Sequence, residues 1–248
     1  MTTPHTLTHR LHGVPNALGP LGVALFVSGL ATAASWTLKE SMVATAVGGI
    51  FLAATWILVL RRRDEDVRAW GLALGGLLEA PVRKNEGERG SSLGILRETL
   101  IALGWTLLIA ALLFPPFVVG FVRWWHVRQL AWIAPVKPFD AVLGQLVVVA
   151  LPEEAFFRGY LQTALDRAWK GRVRVLGADL GYGVIVASAL FAVGHIATVP
   201  HPARLAVFFP SLVFGWMRAR TNGIGAGVAF HTACNLLSEG LARGAGLY

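Results

Sequence analysis

The stretch LPEEAFFRGY, residues 151–160, places two carboxylates and one guanidinium inside a segment that is otherwise apolar. The apolar run 141–151 leads into it, and a helical pattern continues from Tyr160 to Leu165. A charged side chain at the centre of a bilayer costs roughly 2.5–3.5 kcal/mol on insertion scales. These charges therefore need partners, a water-filled cavity or a function, and we expect all three.

The composition is that of a membrane protein. Of the 248 residues, 55% are apolar and 15% are charged, whereas an ordinary soluble domain has about 25% charged residues. Several apolar runs approach or exceed the ~18–20 residues that a helix needs to cross a bilayer. We therefore expect an all-α, polytopic transmembrane helix bundle in contact with membrane lipid.

Seven membrane spans are predicted from the apolar runs. Their approximate bounds are residues 17–38, 41–60, 99–122, 139–165, 180–197, 203–217 and 223–241. This divides the chain into an N-terminal tail (1–16), N-terminal helices with a basic loop (17–138) and a C-terminal helix core (139–248). Within the loop, the semi-apolar piece Trp70 to Ala80 is expected to lie along the membrane interface.

The positive charges predict the orientation. Fifteen of the 22 Lys and Arg residues fall on the side of the N-terminus, six fall on the other side, and Arg158 lies within the membrane. Because cytoplasmic loops carry the excess of Lys and Arg, we expect a bacterial inner or plasma membrane protein with a cytoplasmic N-terminus. Topology thus explains the net charge of +8, and no nucleic-acid partner is expected.

Helical spacing assigns different roles to the two glutamates. Glu154 and Arg158 are four residues apart, so they share a helix face and can pair. Glu153 points about 100° away around the helix and has no local partner. A carboxylate without a charged partner is free to accept a proton, so Glu153 is the candidate general base. The alternative is an ion-pair network that only holds the helices together.

Three further polar residues lie in apolar helices of the C-terminal region. His195 ends the apolar run FAVGH, where a histidine is more often hydrogen-bonded structure than catalyst. His231 and Asn235 are again four residues apart and face the same way, which also suits a clamp between helices. Each residue alone is weak evidence, but together they surround the glutamate motif with two imidazoles and an amide.

These three motifs resemble those of the CPBP family of intramembrane proteases, which comprises CAAX prenyl proteases and bacteriocin-processing proteins and is also called the ABI family. EEAFFRG, residues 153–159, is similar to its EExxxR motif. Residues 191–195 match FxxxH, and residues 231–235 match HxxxN, in the family's order. The resemblance covers roughly residues 139–241.

The resemblance implies that a glutamate-activated water cleaves a peptide bond in or near the membrane. On this analogy Glu153 and His195 activate the water, while Glu154 and Arg158 brace the motif. His231 and Asn235 would donate hydrogen bonds to the developing oxyanion.

A zinc mechanism is the lesser alternative within the enzyme hypothesis. Glu153, His195 and His231 could hold zinc with one open position, as in catalytic zinc sites. There is no HExxH motif, which would place two histidines one helical turn apart. We therefore expect an enzyme without a cofactor.

Two other classes of function stay open from the sequence. One is a non-catalytic membrane protein that binds a partner, for example in bacteriocin immunity, and the other is a transporter that uses Glu153 as a proton site. For the protease, the expected partner is a protein or peptide substrate. A prenylated protein, a C-terminal sorting tail and a leader peptide are all compatible with the residues.

Overall fold

The computed structural model describes residues 17–62, 69–74 and 92–247. The predicted tail 1–16 and most of the basic loop lie outside the described residues. The described chain is mostly helical, so the predicted all-α class is confirmed, with one short β-hairpin as the exception.

The elements follow the predicted spans closely in most of the chain. The helices are α1 (Leu18–Thr37), α2 (Glu40–Leu60), α3 (Ser92–Trp124), α4 (138–168), α5 (Gly183–Thr198), α6 (Phe208–Thr221) and α7 (Gly225–Gly244). Strands β1 (Arg172–Val175) and β2 (Ala178–Gly181) separate α4 from α5, and a 3₁₀ helix (Pro202–Val207) precedes α6.

Three of the described helices are long and apolar enough to cross a membrane. They are α1, α2 and the Thr99–Trp124 part of α3, with mean hydropathies of 1.6, 2.2 and 2.2. The apolar helix α5 is shorter, at 16 residues. The chain is therefore an integral membrane protein with several spans, and the total of seven stays a prediction.

The start of the fifth predicted span is corrected by the hairpin. Leu180 was expected to begin a helix, but it pairs with Val173 across the hairpin, and α5 begins at Gly183. Leu176 and Gly177 connect the strands with φ values of 47° and 80°. Two successive positive φ angles suit the tight turn that joins strands of right-handed twist, so these residues form a turn and the helix starts later.

Helix α4 carries the glutamates on a short α-helical piece between two π-helical segments. These segments are Gly144–Ala150 and Ala155–Gln162, with Leu151–Glu154 between them. Pro152 has no backbone N–H, so it cannot donate to the carbonyl one turn earlier, which is that of Val148. Gly48 of α2 packs directly against this carbonyl, where an added Cβ would collide. The glycine thus lets α2 approach the glutamate motif closely.

The segment 69–74 closes one end of the bundle. Trp70 is only 5% exposed, and its ring stacks on Tyr160 with the centroids 5.7 Å apart. Its carbonyl accepts a hydrogen bond from Arg218 at 3.1 Å, and the Ala73 carbonyl accepts one from the Ile224 N–H at 2.9 Å. We call this end of the bundle, with the segment 69–74, the closed end.

The piece Trp70 to Ala80 was expected to lie along the membrane interface. Its described part packs into the bundle instead, and residues 75–80 lie outside the described residues. The segment can pack this closely because two glycines have no side chain where it contacts the helices. Gly159 of α4 adjoins the Leu72 side chain, and Gly223, just before α7, adjoins the Ala73 carbonyl. A side chain at either glycine would displace the segment.

Candidate active site

The predicted pair of Glu154 and Arg158 is present at the centre of the bundle. Arg158 Nε lies 3.3 Å from Glu154 Oε2, and both side chains are fully buried. Arg158 Nη2 also donates to the Ser211 hydroxyl at 2.9 Å. The guanidinium carbon lies 5.1 Å from the ring centroid of Phe191 and 5.7 Å from that of Phe214. One carboxylate, one hydroxyl and two aromatic rings therefore stabilise the buried cation.

His231 lies between the two glutamates. Its Nδ1 is 3.1 Å from Glu154 Oε1, and its Nε2 is 3.8 Å from Glu153 Oε2. The first distance is a hydrogen bond, and the second is too long to be one. A carboxylate only accepts hydrogen bonds, so Nδ1 carries the proton that is donated to Glu154. The ring stacks on Phe214 at 4.7 Å, which fixes its plane.

Glu153 has weaker polar contacts than Glu154, since the contact described for its carboxylate is the 3.8 Å separation from His231. Glu153 is only 9% exposed, and its Oε2 has no hydrogen-bond partner among the described residues. Burying such a group without a partner is unfavourable, so a functional reason is expected. Glu153 lines a cavity of about 490 Å³, and His195 lines the same cavity.

His195 is held in one tautomer by its own helix. It lies in the last turn of α5, and its Nδ1 is 2.9 Å from the Phe191 carbonyl oxygen. A carbonyl only accepts, so Nδ1 carries the hydrogen, and Nε2 keeps a lone pair. The ring packs against Phe191 with the centroids 4.3 Å apart. The imidazole therefore has a fixed orientation and one nitrogen that can accept a proton.

Asn235 has a different surrounding from the other predicted site residues. Its Nδ2 donates to Gln145 Oε1 of α4 at 2.8 Å. It is not among the residues that line the cavity of Glu153 and His195. Direct contacts thus connect four of the predicted residues: Glu153, Glu154, Arg158 and His231. His195 is connected to Glu153 by the cavity that both line. Asn235 lies on the same helix as His231 but binds Gln145 instead.

Two contributing residues were missed in the sequence. Ser211 binds Arg158, and Gln145 binds Asn235. The sequence does indicate both residues, because each is a polar side chain within an apolar run and therefore needs a hydrogen-bond partner. Neither residue belongs to the three motifs, so motif spacing alone does not predict their contacts.

The described residues hold no group of three or more His, Cys, Asp or Glu side chains that is arranged to bind a metal ion. Glu153, His195 and His231, the set considered for zinc, do not form such a group. What the site offers instead is a buried carboxylate, an imidazole with a free nitrogen and a neutralised charge pair beside them. Such a set can accept, hold and return a proton.

The fold and the site together define a membrane helix bundle with acid–base groups facing an internal cavity. Residues 135–237 match the family model of the Rce1-like type II CAAX prenyl endopeptidases. The family predicted from the three motifs is thereby confirmed at the level of this segment, which is similar to the CAAX proteases. No curated protein and no solved structure matches the chain.

Proposed function

We propose that this protein is an intramembrane endopeptidase in which Glu153 activates the attacking water. The observation that supports this most is the difference between the neighbouring glutamates. Glu154 contacts Arg158 at 3.3 Å and His231 at 3.1 Å, whereas Glu153 comes no nearer than 3.8 Å to His231 and lines a cavity with His195. A network that only joined helices would have no need for this less tightly held carboxylate.

The reaction requires two proton transfers, the formation of one bond and the breakage of another. Glu153 accepts a proton from a water in the cavity, and the water oxygen attacks the carbonyl carbon of the peptide bond. The C–N bond then breaks, and the proton from Glu153 passes to the leaving nitrogen. His195 Nε2 accepts the second hydrogen bond of the water and so orients it. Glu154, Arg158 and Ser211 hold the helix turn that carries Glu153.

Hydrogen-bond donors are also needed for the oxyanion that forms on the attacked carbonyl. His231 is the better placed of the two predicted donors, since its Nε2 lies 3.8 Å from Glu153. With Nδ1–H committed to Glu154, Nε2 can donate only when the ring carries both protons. Asn235 uses one amide hydrogen on Gln145 and keeps one, so we assign it a supporting role.

The decisive experiment compares Glu153→Gln with Glu239→Gln. Both variants lose one carboxylate, but Glu239 pairs with Arg243 outside the cavity. The full chain would be expressed in cells that lack it, and the termini of membrane proteins would be compared by mass spectrometry. Glu153→Gln should lower processing roughly 10²–10⁴-fold, while Glu239→Gln keeps it. Full biological activity in Glu153→Gln would contradict the protease and favour partner binding.

Zinc involvement is tested separately. The metal content of the purified protein would be measured, and its activity compared before and after chelation. We expect no change in rate on chelation. Stoichiometric zinc that is required for turnover would replace the glutamate mechanism by one in which Glu153, His195 and His231 are ligands.

A further inference from the structure

The cavity that contains Glu153 reaches one end of the bundle. At that end it is lined by Leu38 of the α1–α2 connection, Glu40 at the start of α2, Thr198 at the end of α5, and Arg204. We call these residues the cavity mouth. Helix α2 begins at the mouth with Glu40 and ends at Leu60, ~30 Å further along at ~1.5 Å per residue. The closed end therefore lies opposite the mouth, and a substrate reaches Glu153 from the mouth or the lipid beside it.

Arg204 is the cation of this mouth. Its side chain is exposed, and no carboxylate of a described residue lies within ion-pair distance of it. By contrast, Arg158 pairs with Glu154, and Arg218 donates hydrogen bonds to the Trp70 carbonyl and the Thr163 hydroxyl. Arg204 lies at the mouth of the cavity that Glu153 also lines. A cation in this position can bind an anionic group of the substrate.

The backbone around Arg204 is held in place. Its N–H donates to the His201 carbonyl at 2.9 Å, and the His201 ring stacks on Trp125 with centroids 5.5 Å apart. On the other side of the mouth, Trp36 Nε1 donates to the Ala197 carbonyl at 2.9 Å. The base of the Arg204 side chain thus has a defined position at the rim, which a binding residue needs.

The cavity wall indicates what kind of molecule carries the anion. Ser28, Thr32 and Ser35 of α1 all line the cavity, and their spacing places them along one helix face. The Ser28 hydroxyl is buried and has no hydrogen-bond partner among the described residues. A row of hydroxyls suits the amide groups of an extended peptide, which must be satisfied away from water, better than it suits an acyl chain.

We propose that Arg204 is a specificity-determining residue that binds the C-terminal carboxylate of the substrate chain. An arginine can bind a carboxylate through two parallel hydrogen bonds, which fixes its position as well as its charge. The carboxylate would lie at the mouth and the peptide would run along the hydroxyl row towards Glu153. The proposal rests on the proposed protease function, and it names which end of the substrate enters the cavity.

Glu40 is the other charged group of the mouth. Its carboxylate would repel the substrate carboxylate and could instead bind a cationic group. Its effect is separable, because Glu40→Gln removes the repulsion without touching Arg204. We expect this variant to keep or increase the preference for a free carboxylate.

Binding, measured without turnover, tests the proposal. The full chain with Glu153→Gln would be placed in nanodiscs of zwitterionic lipid. Two fluorescein-labelled octapeptides of Ala, Leu and Ser would be compared by fluorescence anisotropy, one with a free C-terminal carboxylate and one with a carboxamide. We expect roughly tenfold tighter binding of the acid. The preference should vanish in Glu153→Gln/Arg204→Gln and persist in Glu153→Gln/Arg123→Gln, since Arg123 lies at the same end outside the cavity.

The outcomes separate this proposal from the protease itself. Equal binding of both peptides, no binding of either, or a preference that survives Arg204→Gln would overturn the role of Arg204. A preference that disappears when anionic lipid is added would show competition by phosphate headgroups and would assign the arginine to lipid. None of these results depends on hydrolysis, whereas the failure of the protease would appear as processing that is independent of Glu153.

Discussion

The closed end and the cavity mouth use the same residue types in opposite ways. At the closed end, the guanidiniums of Arg62 and Arg167 lie 5.2 Å and 4.2 Å from the Trp70 ring centroid, and Arg218 binds carbonyl and hydroxyl oxygens. At the mouth, Arg204 is exposed and lines the cavity that leads to Glu153. The arginines of the closed end have partners and hold the bundle together, whereas Arg204 has no ion-pair partner among the described residues and is available to a ligand.

The largest expected effect comes from breaking the buried pair between these two ends. Arg158→Met should lower the free energy of unfolding by about 3–5 kcal/mol, because Glu154 is left as a buried, unpaired charge. Arg204→Met should change it by less than about 0.5 kcal/mol. Unfolding in mixed detergent–SDS micelles, followed by tryptophan fluorescence, measures both. Equal losses for the two variants would remove the distinction between paired and free arginines.

The closed end should matter for stability and little for chemistry. Trp70→Ala removes a buried ring and should cost about 3 kcal/mol of unfolding free energy, while hydrolysis per folded molecule is retained. Trp124→Ala is the matched control, since Trp124 is 63% exposed. If Trp70→Ala abolished activity in protein that is still folded, the closed end would be part of the active site.

The cavity that leads from the mouth to Glu153 should behave in the reverse way, with a large effect on activity and a small one on stability. Thr32→Trp fills the cavity beside α1 and should reduce processing roughly 100-fold, which corresponds to about 2.7 kcal/mol, with little change in stability. Ala33→Trp on the exposed side of the same helix is the control. Normal processing by Thr32→Trp would mean that the substrate reaches Glu153 by another route.

The smallest effect is expected from a pair of labelling variants that leave rate and stability unchanged. In a Cys234→Ala background, Glu40→Cys marks the mouth and Lys170→Cys marks the closed end. A membrane-impermeant thiol reagent should label the first from outside intact cells and the second only after the cells are opened, as the excess of Lys and Arg predicts. Labelling of both from the same side would contradict the expected topology.

Local spacing was enough to predict part of the site. The pairing of Glu154 with Arg158 and the separate direction of Glu153 depend only on helical periodicity, so they could be predicted without tertiary information. The bounds of α1 and α2 followed from apolar run lengths in the same way. The contact of His231 with Glu154 joins residues 77 positions apart, and spacing alone cannot give such a contact.

The differences between the predicted and the observed fold have two separate causes, one local and one tertiary. The hairpin was missed because its strands have only four residues each and adjoin an apolar helix. Trp70 was expected at the membrane interface because it begins the semi-apolar piece Trp70 to Ala80 of a charged loop. Its burial depends on the room left by Gly159 and Gly223, which belong to other parts of the chain. A loop sequence does not contain that information.

The segment 69–74 has a consequence for how such proteins diverge. Apart from the Trp70 ring, its long-range hydrogen bonds are made by main-chain carbonyls. The Trp70 carbonyl accepts from Arg218 and Thr163, and the Ala73 carbonyl accepts from two amides that precede or begin α7. Every amino acid supplies a carbonyl, so natural variation can rewrite most of this segment while the architecture persists. We therefore expect substitutions at most side chains of this segment to leave the tether in place.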